Sequence, residues 1–403
     1  MKALNDNAHP LESLLQQHCP NGVEFKELGE LELNKILNLG RGKIISQNDL
    51  KNCPGEYPVY SSSATKNGEI GKYGKYMFDD ERITWSIDGG GKFFYRNHLK
   101  YSVTNVCGWI KVINLDELNT KFLFYALINE WVKKKFNYTK KAHPSIIKKE
   151  YCIPLPPLEI QSKIVEILDT FTELEAELEA ELEARLKQYH YYRNKLLSHD
   201  ELENRTAKSR NDSDPATLVP YVSLGEVCEK VFAGGDLPKE YSKDKKPSGE
   251  FLYPIYSNGS DENSLYGFSK TYRIDAEAVT ISARGTIGFH TTREAKFTPI
   301  VRLITLIPNL NKITNRFLNY ALYTTHIEKY GTSAGIPQLT IPMLEKITIP
   351  LPPLSVQEEI VELLDKFDTL ANDLSAGLPA EIEARKKQYE YYRERLLSFI
   401  AKD

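Results

Sequence analysis

Only two patterns in this chain of 403 residues have residue types and spacing that could act on phosphate groups. The first is the glycine-rich run Asp88-Gly89-Gly90-Gly91-Lys92. A phosphate-binding loop needs Gly-x-x-x-x-Gly-Lys-Ser/Thr, in which backbone N–H groups surround the phosphates and the hydroxyl group binds Mg²⁺. Phe93 stands where that hydroxyl should be. We therefore interpret the run as a tight turn after a strand.

The second pattern has the spacing of a metal-dependent nuclease site, with Asp275 followed by Glu294-Ala295-Lys296. The first half of the chain has no counterpart, so a nuclease in its own right is only a rival interpretation. The sequence also lacks a nucleophilic serine elbow, a His-Glu-x-x-His zinc motif and a dinucleotide-binding fingerprint. The Asn/Asp-Pro-Pro-aromatic tetrapeptide of base-flipping amino-methyltransferases is missing too. The sequence predicts a non-catalytic chain with no metal or cofactor of its own.

Composition places the chain among globular proteins of two or three domains. The net charge is −3, so any surface that binds nucleic acid must be local. The cysteines lack the spacing of a zinc site or a disulfide framework: Cys19, Cys53, Cys107, Cys152 and Cys228. The N-terminus has no apolar signal core, and no run approaches the ~18 apolar residues of a membrane span. We expect a soluble, cytoplasmic protein.

The elements that would position any site are organised around one long stretch, residues 158–198. It contains no glycine or proline and is rich in Leu, Glu, Ala, Lys and Arg, which favour helices. A strand-like segment punctuated by prolines precedes it at 153–157. A continuous helix of this length would run roughly 60 Å, so we expect it to pack against an equally long partner.

A second copy of this stretch opens at 349–354 and closes at 387–393, which matches 187–193 in the first copy. Apolar residues in both copies step alternately by four and three, as in the seam of a coiled coil. They are related by a shift of 196 residues: Ile160, Ile164, Ile167, Phe171, Leu174 and Leu178, then Val356, Ile360, Leu363, Phe367, Leu370 and Leu374. A solvated acidic helix is the simpler alternative, but the duplicated seam favours an intramolecular helix pair.

The repetition extends into the segments that precede each helix. Leu28-Gly29-Glu30 recurs as Leu224-Gly225-Glu226, and 57–61 recurs as 253–257. A period near 200 residues indicates a duplicated domain rather than a solenoid. We predict strands at 57–60, 83–87, 106–113, 255–257, 278–282 and 301–307, and helices at 118–135 and 314–330. Residues 199–217 are predicted to be a polar linker, and Leu11, Leu14 and Leu15 a short helix that packs on the C-terminal helix.

Two globular units that alternate with two similar long helices resemble the specificity subunit of type I restriction–modification systems. The resemblance covers essentially the whole chain and rests on two sets of residues. They are Pro154-Leu155-Pro156-Pro157-Leu158, Gln161, Ile164-Val165, Leu168-Asp169 and Phe171, and Pro350-Leu351-Pro352-Pro353-Leu354, Gln357, Ile360-Val361, Leu364-Asp365 and Phe367, each with a Lys-Gln-Tyr-x-Tyr-Tyr-Arg closure. The run of Glu-Leu-Glu-Ala repeats at 173–184 is similar to the tetrapeptide repeats of some members.

The resemblance implies an α+β fold with two similar mixed α/β target recognition domains, separated by two long helices in an antiparallel coiled coil with pseudo-twofold symmetry. The segments would be an N-terminal recognition domain (1–152), a central spacer helix (153–198), the linker (199–217), a C-terminal recognition domain (218–348) and a C-terminal spacer helix (349–403). Each domain would read half of a bipartite double-stranded DNA site. The helix pair would set the half-site spacing and dock two methyltransferase (M) subunits.

In this family, chemistry would belong to the partners. Adenine methylation with S-adenosylmethionine is implied for the M subunits, and cleavage with ATP and Mg²⁺ for restriction (R) subunits. Four helical residues add ~6 Å, close to two base-pair rises of ~3.4 Å, so the repeat tract is predicted to set the unread gap. Gly377-Leu378-Pro379 in the second copy predicts an interrupted helix.

Under this interpretation, base readout needs donors and acceptors on loops near strand ends, and phosphate binding needs Lys, Arg or hydroxyl groups. The candidates in the first unit are Arg41, Lys43, Ser61, Ser62, Ser63, Lys66, Asn67, Asp88, Gly89, Lys92, Lys140 and Lys141. Those in the second unit are Asn258, Ser260, Arg284, Thr286, Arg293, Ser333 and Gln338. A solvated turn is the alternative for each.

The tyrosines of the two closures could stack on bases, but on a long helix we expect them to pack against the seam or a partner: Tyr189, Tyr191, Tyr192, Tyr389, Tyr391 and Tyr392. Two rival interpretations of the whole chain stay open. One is a relative of the specificity subunits with other partners. The other is a coiled-coil scaffold with protein-binding heads that does not read DNA.

Overall fold

The computed structural model describes residues 19–63, 66–97, 100–134, 136, 141–209, 218–260, 264–331, 338–372 and 377–399, without the side chains of Lys66, Ala371 and Asn372. It contains two compact units, residues 1–179 with 381–403 and residues 180–380. The predicted N-terminal helix with Leu11, Leu14 and Leu15 lies outside the described residues. So do Lys140, Ser333, Leu374 and residues 210–217 of the predicted linker.

The first unit is a mixed α/β fold. Its elements are β1 (Phe25–Glu27), α1 (Leu28–Leu33), β2 (Leu37–Arg41), α2 (Gln47–Asn52), β3 (Tyr57–Tyr60), β4 (Glu69–Tyr73), β5 (Arg82–Ser86), β6 (Phe93–Arg96), β7 (Ser102–Val103), β8 (Cys107–Val112), α3 (Thr120–Trp131), α4 (Pro144–Glu150), β9 (Cys152–Pro154) and the start of α5 (Leu158–Leu196). Its sheets have the strand orders β2-β8-β5-β6, β4-β3-β7 and β1-β9.

The second unit has a similar order of elements. After the end of α5 come α6 (His199–Lys208), β10 (Tyr221–Ser223), α7 (Leu224–Val227), β11 (Cys228–Ala233), β12 (Tyr241–Ser242), β13 (Tyr253–Tyr256), β14 (Leu265–Ser269), β15 (Ala278–Ser282), β16 (His290–Arg293), β17 (Thr298–Pro299), β18 (Leu303–Pro308), α8 (Asn315–Leu322), α9 (Ile341–Leu344), β19 (Thr348–Pro350) and α10 (Leu354–Asn372). The last helix, α11 (Leu378–Leu397), belongs mostly to the first unit. The sheets β11-β18-β15-β16, β12-β14-β13-β17 and β10-β19 correspond to those of the first unit.

The core of each unit lies between its larger sheet and the helix that follows that sheet. In the first unit, the buried side chains of Trp85, Phe93 and Ile110 pack with Phe122 and Leu123 of α3. Asn119 is the N-cap residue of α3, and its side chain accepts hydrogen bonds from two backbone N–H groups of the first turn. An N-cap of this kind satisfies donors that have no partner within the helix. Asn119 therefore starts the helix, and Phe122 and Leu123 pack it against the sheet.

The predicted helices of the globular parts are shorter than expected. Helix α3 begins at Thr120 and ends at Trp131, inside the predicted range 118–135. The range 314–330 holds α8 and then a separate 3₁₀ turn, Ile327–Tyr330, because His326 has a left-handed backbone with φ 51°. A left-handed residue cannot continue a right-handed helix.

The stretch predicted to be a linker begins with a helix, which corrects that prediction for residues 199–208. Ser198 caps α6 by accepting a hydrogen bond from the backbone N–H of Glu201. Leu202 and Thr206 are buried on its inner face, and Arg205 forms ion pairs with Glu201 of α6 and Glu359 of α10. The high proportion of charged residues therefore reflects the outer face of a docked helix.

The two long helical segments differ in continuity, as the sequence predicted. Helix α5 runs without a break for 39 residues, which corresponds to about 58 Å. The second segment is divided into α10 and α11, and α11 begins at Leu378 directly after Gly377. Pro379 lies in the first turn of α11, where its missing N–H has no helical partner to lose.

Within the first unit, α5 and α11 contact each other with opposite chain directions. The ring of Phe171 stacks on that of Tyr392 at 5.2 Å between centroids. Further along α5, Glu175 and Glu179 pair with Lys386 at 3.5 and 3.0 Å. As the residue number increases along α5, the number of the contacted residue in α11 decreases, so the two helices are antiparallel within the first unit.

The beginnings of α5 and α10 pack on globular cores rather than only along a seam. Ile160, Ile164 and Leu168 are buried in the core of the first unit, and Val356, Ile360 and Leu364 in that of the second. Of the other predicted seam positions, Leu178 is buried, Ile167, Phe171, Leu174, Leu363 and Phe367 are half-buried, and Leu370 is 40% exposed. Leu370 is thus a surface residue, which corrects its assignment to the seam.

The tyrosines divide by position. Tyr189 is buried in the core of the second unit, and Tyr192 stacks on Phe367 at 5.1 Å between centroids. Tyr389 packs partly buried in the first unit, and Tyr392 stacks on Phe171. Tyr191 and Tyr391 are 60% and 55% exposed.

Among the described helices, none is long and apolar enough to cross a membrane.

Candidate nucleic-acid interface

The loops at one end of the first unit are hydrogen-bonded to one another. The backbone N–H of Lys43, just after β2, donates to the carbonyl oxygen of Val103 at 3.2 Å. The Thr104 hydroxyl donates to the Ser61 hydroxyl at 2.9 Å. The loops after β2 and β3 are therefore each held to the loop after β7, across 60 and 43 positions of the chain.

Ser62 joins the glycine-rich turn after β5 to this group. Its hydroxyl group accepts from the backbone N–H of Asp88 at 2.7 Å and lies 2.9 Å from the Ser86 hydroxyl. A side chain on Gly89 would clash, because a Cβ atom there would lie 2.0 Å from the Ser62 carbonyl oxygen. Asp88 forms an ion pair with Lys141 at 3.1 Å. The run Asp88–Lys92 is thus a turn locked to the neighbouring loop.

The side chains on this end of the unit differ in exposure. Arg41, Lys43, Asn67 and Lys141 are exposed, and Ser61, Ser62, Ser63, Asp88, Gly89 and Lys92 are half-buried. The side chain of Lys66 and all of Lys140 are outside the described residues. The hydroxyl of Ser62 is engaged within the fold, whereas the exposed cations face outward. These cations are suited to phosphate groups.

The second unit repeats this arrangement. The backbone N–H of Gly234, just after β11, donates to the carbonyl oxygen of Leu303 at 2.7 Å. The backbone N–H of Gly235 donates to the carbonyl oxygen of Pro299 at 3.2 Å. Asn258 takes the place of Ser62: its amide oxygen accepts from the backbone N–H groups of Ala283 and Arg284 at 2.8 and 3.2 Å, and its amide nitrogen donates to the Arg284 carbonyl. The amide of Asn258 therefore fixes the loop, and its oxygen accepts two backbone hydrogen bonds.

The other predicted residues of the second unit lie around this turn. The backbones of Arg284 and Gln338 form an isolated bridge, which brings the two predicted loops together. Thr286 and Gln338 are exposed, and Ser260 and Arg284 are half-buried. Ser333 is outside the described residues.

Arg293 differs from these residues because its guanidinium group is engaged within the fold, and its role as a DNA contact stays a prediction. Its guanidinium carbon lies 3.7 Å from the centroid of the Tyr256 ring. It donates hydrogen bonds to Thr280 and Ser264 at 3.1 and 2.8 Å. Burial is the main cause that lowers the pKa of Arg293.

One surface residue was missed by sequence reasoning. Arg302 is exposed in the turn between β17 and β18, with a left-handed backbone at φ 71°. Its carbonyl oxygen accepts from the backbone N–H of Ala283, beside Arg284. Left-handed non-glycine residues are uncommon and concentrate at functional sites. The shift of 196 residues pairs Arg302 with Val106. A cation in one half at the place of an apolar residue in the other was the signal in the sequence that could have identified Arg302.

Each unit is also joined to its long helix by a buried glutamine. The Gln161 side chain is fully buried, accepts from the backbone N–H of Asn119 at 2.8 Å and donates to the carbonyl oxygens of Glu117 and Pro156 at 2.9 and 2.8 Å. Gln357 makes the same three bonds with Thr314, Lys312 and Pro352 at 2.9, 2.9 and 2.8 Å. The proline segment, the helix start and the long helix are thereby tied at one point.

A buried tyrosine and a carboxylate form a second link in each unit. The Tyr125 hydroxyl donates to Asp169 of α5 at 2.5 Å, and the Tyr320 hydroxyl donates to Asp365 of α10 at 2.5 Å. Burial, and then the bond to the carboxylate, raise the pKa of each tyrosine. Both hydroxyls are therefore neutral donors at physiological pH.

A metal site, a cysteine nucleophile and a nuclease site would each need particular groups in the described part of the chain. No group of three or more His, Cys, Asp or Glu side chains there could hold a metal ion. Burial raises the pKa values of the Cys107 and Cys228 thiols to about 12, so neither is a nucleophile at neutral pH. Asp275 accepts a hydrogen bond from Tyr272 at 3.2 Å on the surface.

The family model described as the type I restriction modification DNA specificity domain matches the chain twice, at residues 20–188 and 219–384. The chain belongs to this family. It is 36% identical over 373 residues to a Mycoplasma pneumoniae protein named as a type I specificity subunit, covering 92% of this chain and 97% of the relative. It is 32% identical over 428 residues to a Haemophilus influenzae protein named as a type I restriction enzyme specificity subunit, covering 98% and 100%.

Solved structures of specificity subunits share the fold. The S subunit of a type I restriction–modification system from M. genitalium aligns with a TM-score of 0.59 at 20% identity, covering 98% of both chains. A chain from a study of complex assembly in a type I system aligns with a TM-score of 0.52 at 17% identity, covering 94% of this chain and 98% of that chain. The two family matches contain the two sets of linked loops, so this specificity subunit carries two comparable DNA-recognition regions.

Proposed function

We propose that residues 1–152 and 218–348 are target recognition domains, each reading one half of a bipartite site on double-stranded DNA. The observation that carries this proposal is the repeated set of linked loops after β2, β3, β5 and β7 and after β11, β13, β15 and β17. The first set presents the exposed cations Arg41 and Lys43, with Lys141 paired to Asp88 of the turn after β5, and the second set presents Arg284 and Arg302. Two similar readers on one chain suit a split site with two half-sites.

The segments 153–198 and 349–403 are, in this proposal, antiparallel spacer helices of a coiled coil that arose with the tandem duplication. They set the distance between the two half-sites, residues 199–217 connect the halves, and each half docks one M subunit. The opposite directions of α5 and α11 where Phe171 meets Tyr392 support this arrangement.

The subunit itself is non-catalytic in this proposal and binds no cofactor. Methyl transfer to adenine with S-adenosylmethionine is assigned to the M subunits, and cleavage with ATP and Mg²⁺ to the R subunits. In this proposal the complex acts in the cytoplasm.

The test is methylation-site mapping in cells that carry this chain with its candidate M subunit, together with enrichment from a degenerate split duplex library. We expect one bipartite motif with a fixed gap. Exchanging residues 218–348 for the corresponding part of a relative should change one half of the motif only. A scaffold that does not read DNA would enrich no duplex and produce no motif.

Replacing both Arg41 and Lys43 with alanine is expected to weaken DNA binding with little change in sequence preference, because exposed cations at a loop contact phosphates rather than base edges. The slope of log K against log salt concentration should fall by about 0.9 for each lost phosphate contact. The measurement is a salt titration of duplex binding by the complex. Lys187→Ala on α5, where Lys187 is exposed and paired with Glu183, is the control. An unchanged slope in the double variant would contradict this prediction.

A further inference from the structure

Each unit contains a guanidinium group packed on a tyrosine of the strand that precedes the candidate recognition loop. Arg96 is the last residue of β6, is 6% exposed, and lies with its guanidinium carbon 3.5 Å from the centroid of the Tyr60 ring. Arg293 is the last residue of β16 and lies 3.7 Å from the Tyr256 ring. Tyr60 and Tyr256 end β3 and β13, so the two arginines occupy matching places.

The hydrogen bonds of the two arginines also match. Arg96 donates from Nε to the Thr84 hydroxyl at 3.0 Å, and Arg293 donates from Nε to the Thr280 hydroxyl at 3.1 Å. These threonines are buried in β5 and β15. One edge of each guanidinium is therefore anchored to the central strands of the larger sheet.

The other edge of each guanidinium reaches the loop that follows β3 or β13. Arg96 donates from a terminal nitrogen to the carbonyl oxygen of Asn67 at 2.5 Å, and Arg293 donates to the Ser264 hydroxyl at 2.8 Å. Asn67 has a left-handed backbone at φ 53°. The carbonyl oxygen of the next residue, Gly68, accepts from the backbone N–H of Ser61, which closes the loop. Each arginine thus joins the closing end of a loop to the sheet.

The charge on these groups is not neutralised locally. No carboxylate among the described residues forms an ion pair with Arg96 or Arg293, although Glu69 acts on Arg96 from a longer distance. Burial lowers the pKa of both groups, yet arginine stays protonated at neutral pH. An unpaired cation costs stability when it is buried, as Arg96 is, and to a lesser degree when it is half-buried, as Arg293 is, so a purely structural role would be met better by an apolar side chain. A cation close behind a loop that contacts phosphates adds to the electrostatic attraction between that loop and DNA.

We propose that Arg96 and Arg293 are positioning residues for DNA reading: each holds the closing end of its recognition loop, and its unpaired charge strengthens the loop's attraction for DNA. The described loop residues are Ser61–Ser63 with Asn67–Gly68, and Ser257–Ser260 with Ser264. This inference rests on the proposed function, and it assigns each arginine to one half-site.

The experiment uses the full complex of this chain with its M subunit and duplexes in which single bases of the wild-type motif are changed. Arg96→Lys keeps the charge but loses the planar fork that joins Thr84 and Asn67. We expect it to reduce base discrimination about 10-fold or more in the half-site read by the first unit, with the other half unchanged. Arg293→Lys should do the reverse. Arg96→Met, which also loses the charge, should in addition lower the salt dependence of binding.

Two further variants separate positioning from a general loss of structure. Thr84→Val removes only the anchor of Arg96 and should give a smaller change in the same half-site. Arg82→Lys is the matched control, because Arg82 also packs on aromatic rings, 3.7 Å from Phe78, but pairs with Asp80 instead of a recognition loop. It should leave discrimination in both halves unchanged.

The outcomes are distinguishable. A half-specific loss in Arg96→Lys and its mirror image in Arg293→Lys support the inference, and Thr84→Val decides the matter if a lysine variant fails to fold. Equal losses in both half-sites, or no loss in either, overturn it while leaving the proposed function in place. A wild-type complex with no bipartite motif overturns the proposed function and the inference with it.

Discussion

Deletion of residues 177–180 is expected to shorten the gap between the two half-sites by about two base pairs while both half-sites stay the same. The segment is one Glu-Leu-Glu-Ala repeat in the uninterrupted helix α5. Four residues are ~6 Å of helix, and they turn it by about 40° more than one full turn. The readers would therefore move closer along the duplex with only a small relative rotation.

The repetition of the tract is the reason to expect that the shortened helix still packs. After the deletion, the next Glu-Leu-Glu-Ala repeat takes the vacated place, so a leucine follows at the position of Leu178 and a glutamate at that of Glu179. Leu178 is buried, and Glu179 pairs with Lys386. Both contacts can thus be restored by identical residue types.

Methylation-site mapping before and after the deletion is the measurement. Glu177→Gln is the control of equal length, since Glu177 is exposed, and it should leave the gap unchanged. If the half-sites themselves change, the tract takes part in readout and the spacer proposal fails. If the gap keeps its wild-type length, the helix does not set the spacing.

Gln161→Leu is expected to destabilise the first unit by roughly 1–3 kcal/mol, because the buried Pro156 carbonyl oxygen loses its side-chain donor, and the less buried backbone groups of Asn119 and Glu117 lose theirs with partial compensation by water. Leucine preserves most of the volume, so the loss comes from the backbone groups of Asn119, Glu117 and Pro156 and not from a cavity. Gln357→Leu should destabilise the second unit by a similar amount through the equivalent bonds.

The tryptophans allow the two units to be followed separately. Trp85, Trp109 and Trp131 all lie in the first unit. In urea unfolding of the full chain, Gln161→Leu should lower the midpoint detected by tryptophan fluorescence. Gln357→Leu should shift the transition detected by circular dichroism more than that detected by fluorescence.

Gln188→Leu is the matched control on the same helix. Gln188 is half-buried and accepts one bond from Arg185 at 3.1 Å, so its replacement should cost less than about 0.5 kcal/mol. A loss in Gln161→Leu no larger than in this control would show that the buried glutamine does not tie the helix to the unit.

The sequence by itself determined the repeated architecture and the special residues of the repeat. Gln161 and Gln357, or Asp169 and Asp365, recur at one spacing because each must meet the same partners in a locally identical packing of helix start, proline segment and long helix. Gly377 and Pro379 predicted the break before α11 from backbone restrictions alone. Such features depend on residues close in sequence or on an internal copy, and they can be recognised without coordinates.

The long helices show where sequence reasoning reached its limit. Steps of four and three define one face of a helix, but a helix that touches both a globular core and another helix buries a wider face. Leu168 and Leu364 are therefore buried, although neither is on the predicted seam, while Leu370 on that seam is exposed. The polar composition of 199–208 concealed a helix for the opposite reason, since only a narrow face of α6, with Leu202 and Thr206, is buried.

The direction of each loop side chain was decided by the tertiary structure alone. Arg41 and Arg293 are both arginines at strand ends, yet Arg41 is exposed and Arg293 stacks on Tyr256. The difference depends on whether an aromatic ring and hydroxyl acceptors from distant strands stand beside the guanidinium. Those neighbours come together only when the sheets pair, so the sequence identifies the cations and the fold decides which of them can meet DNA.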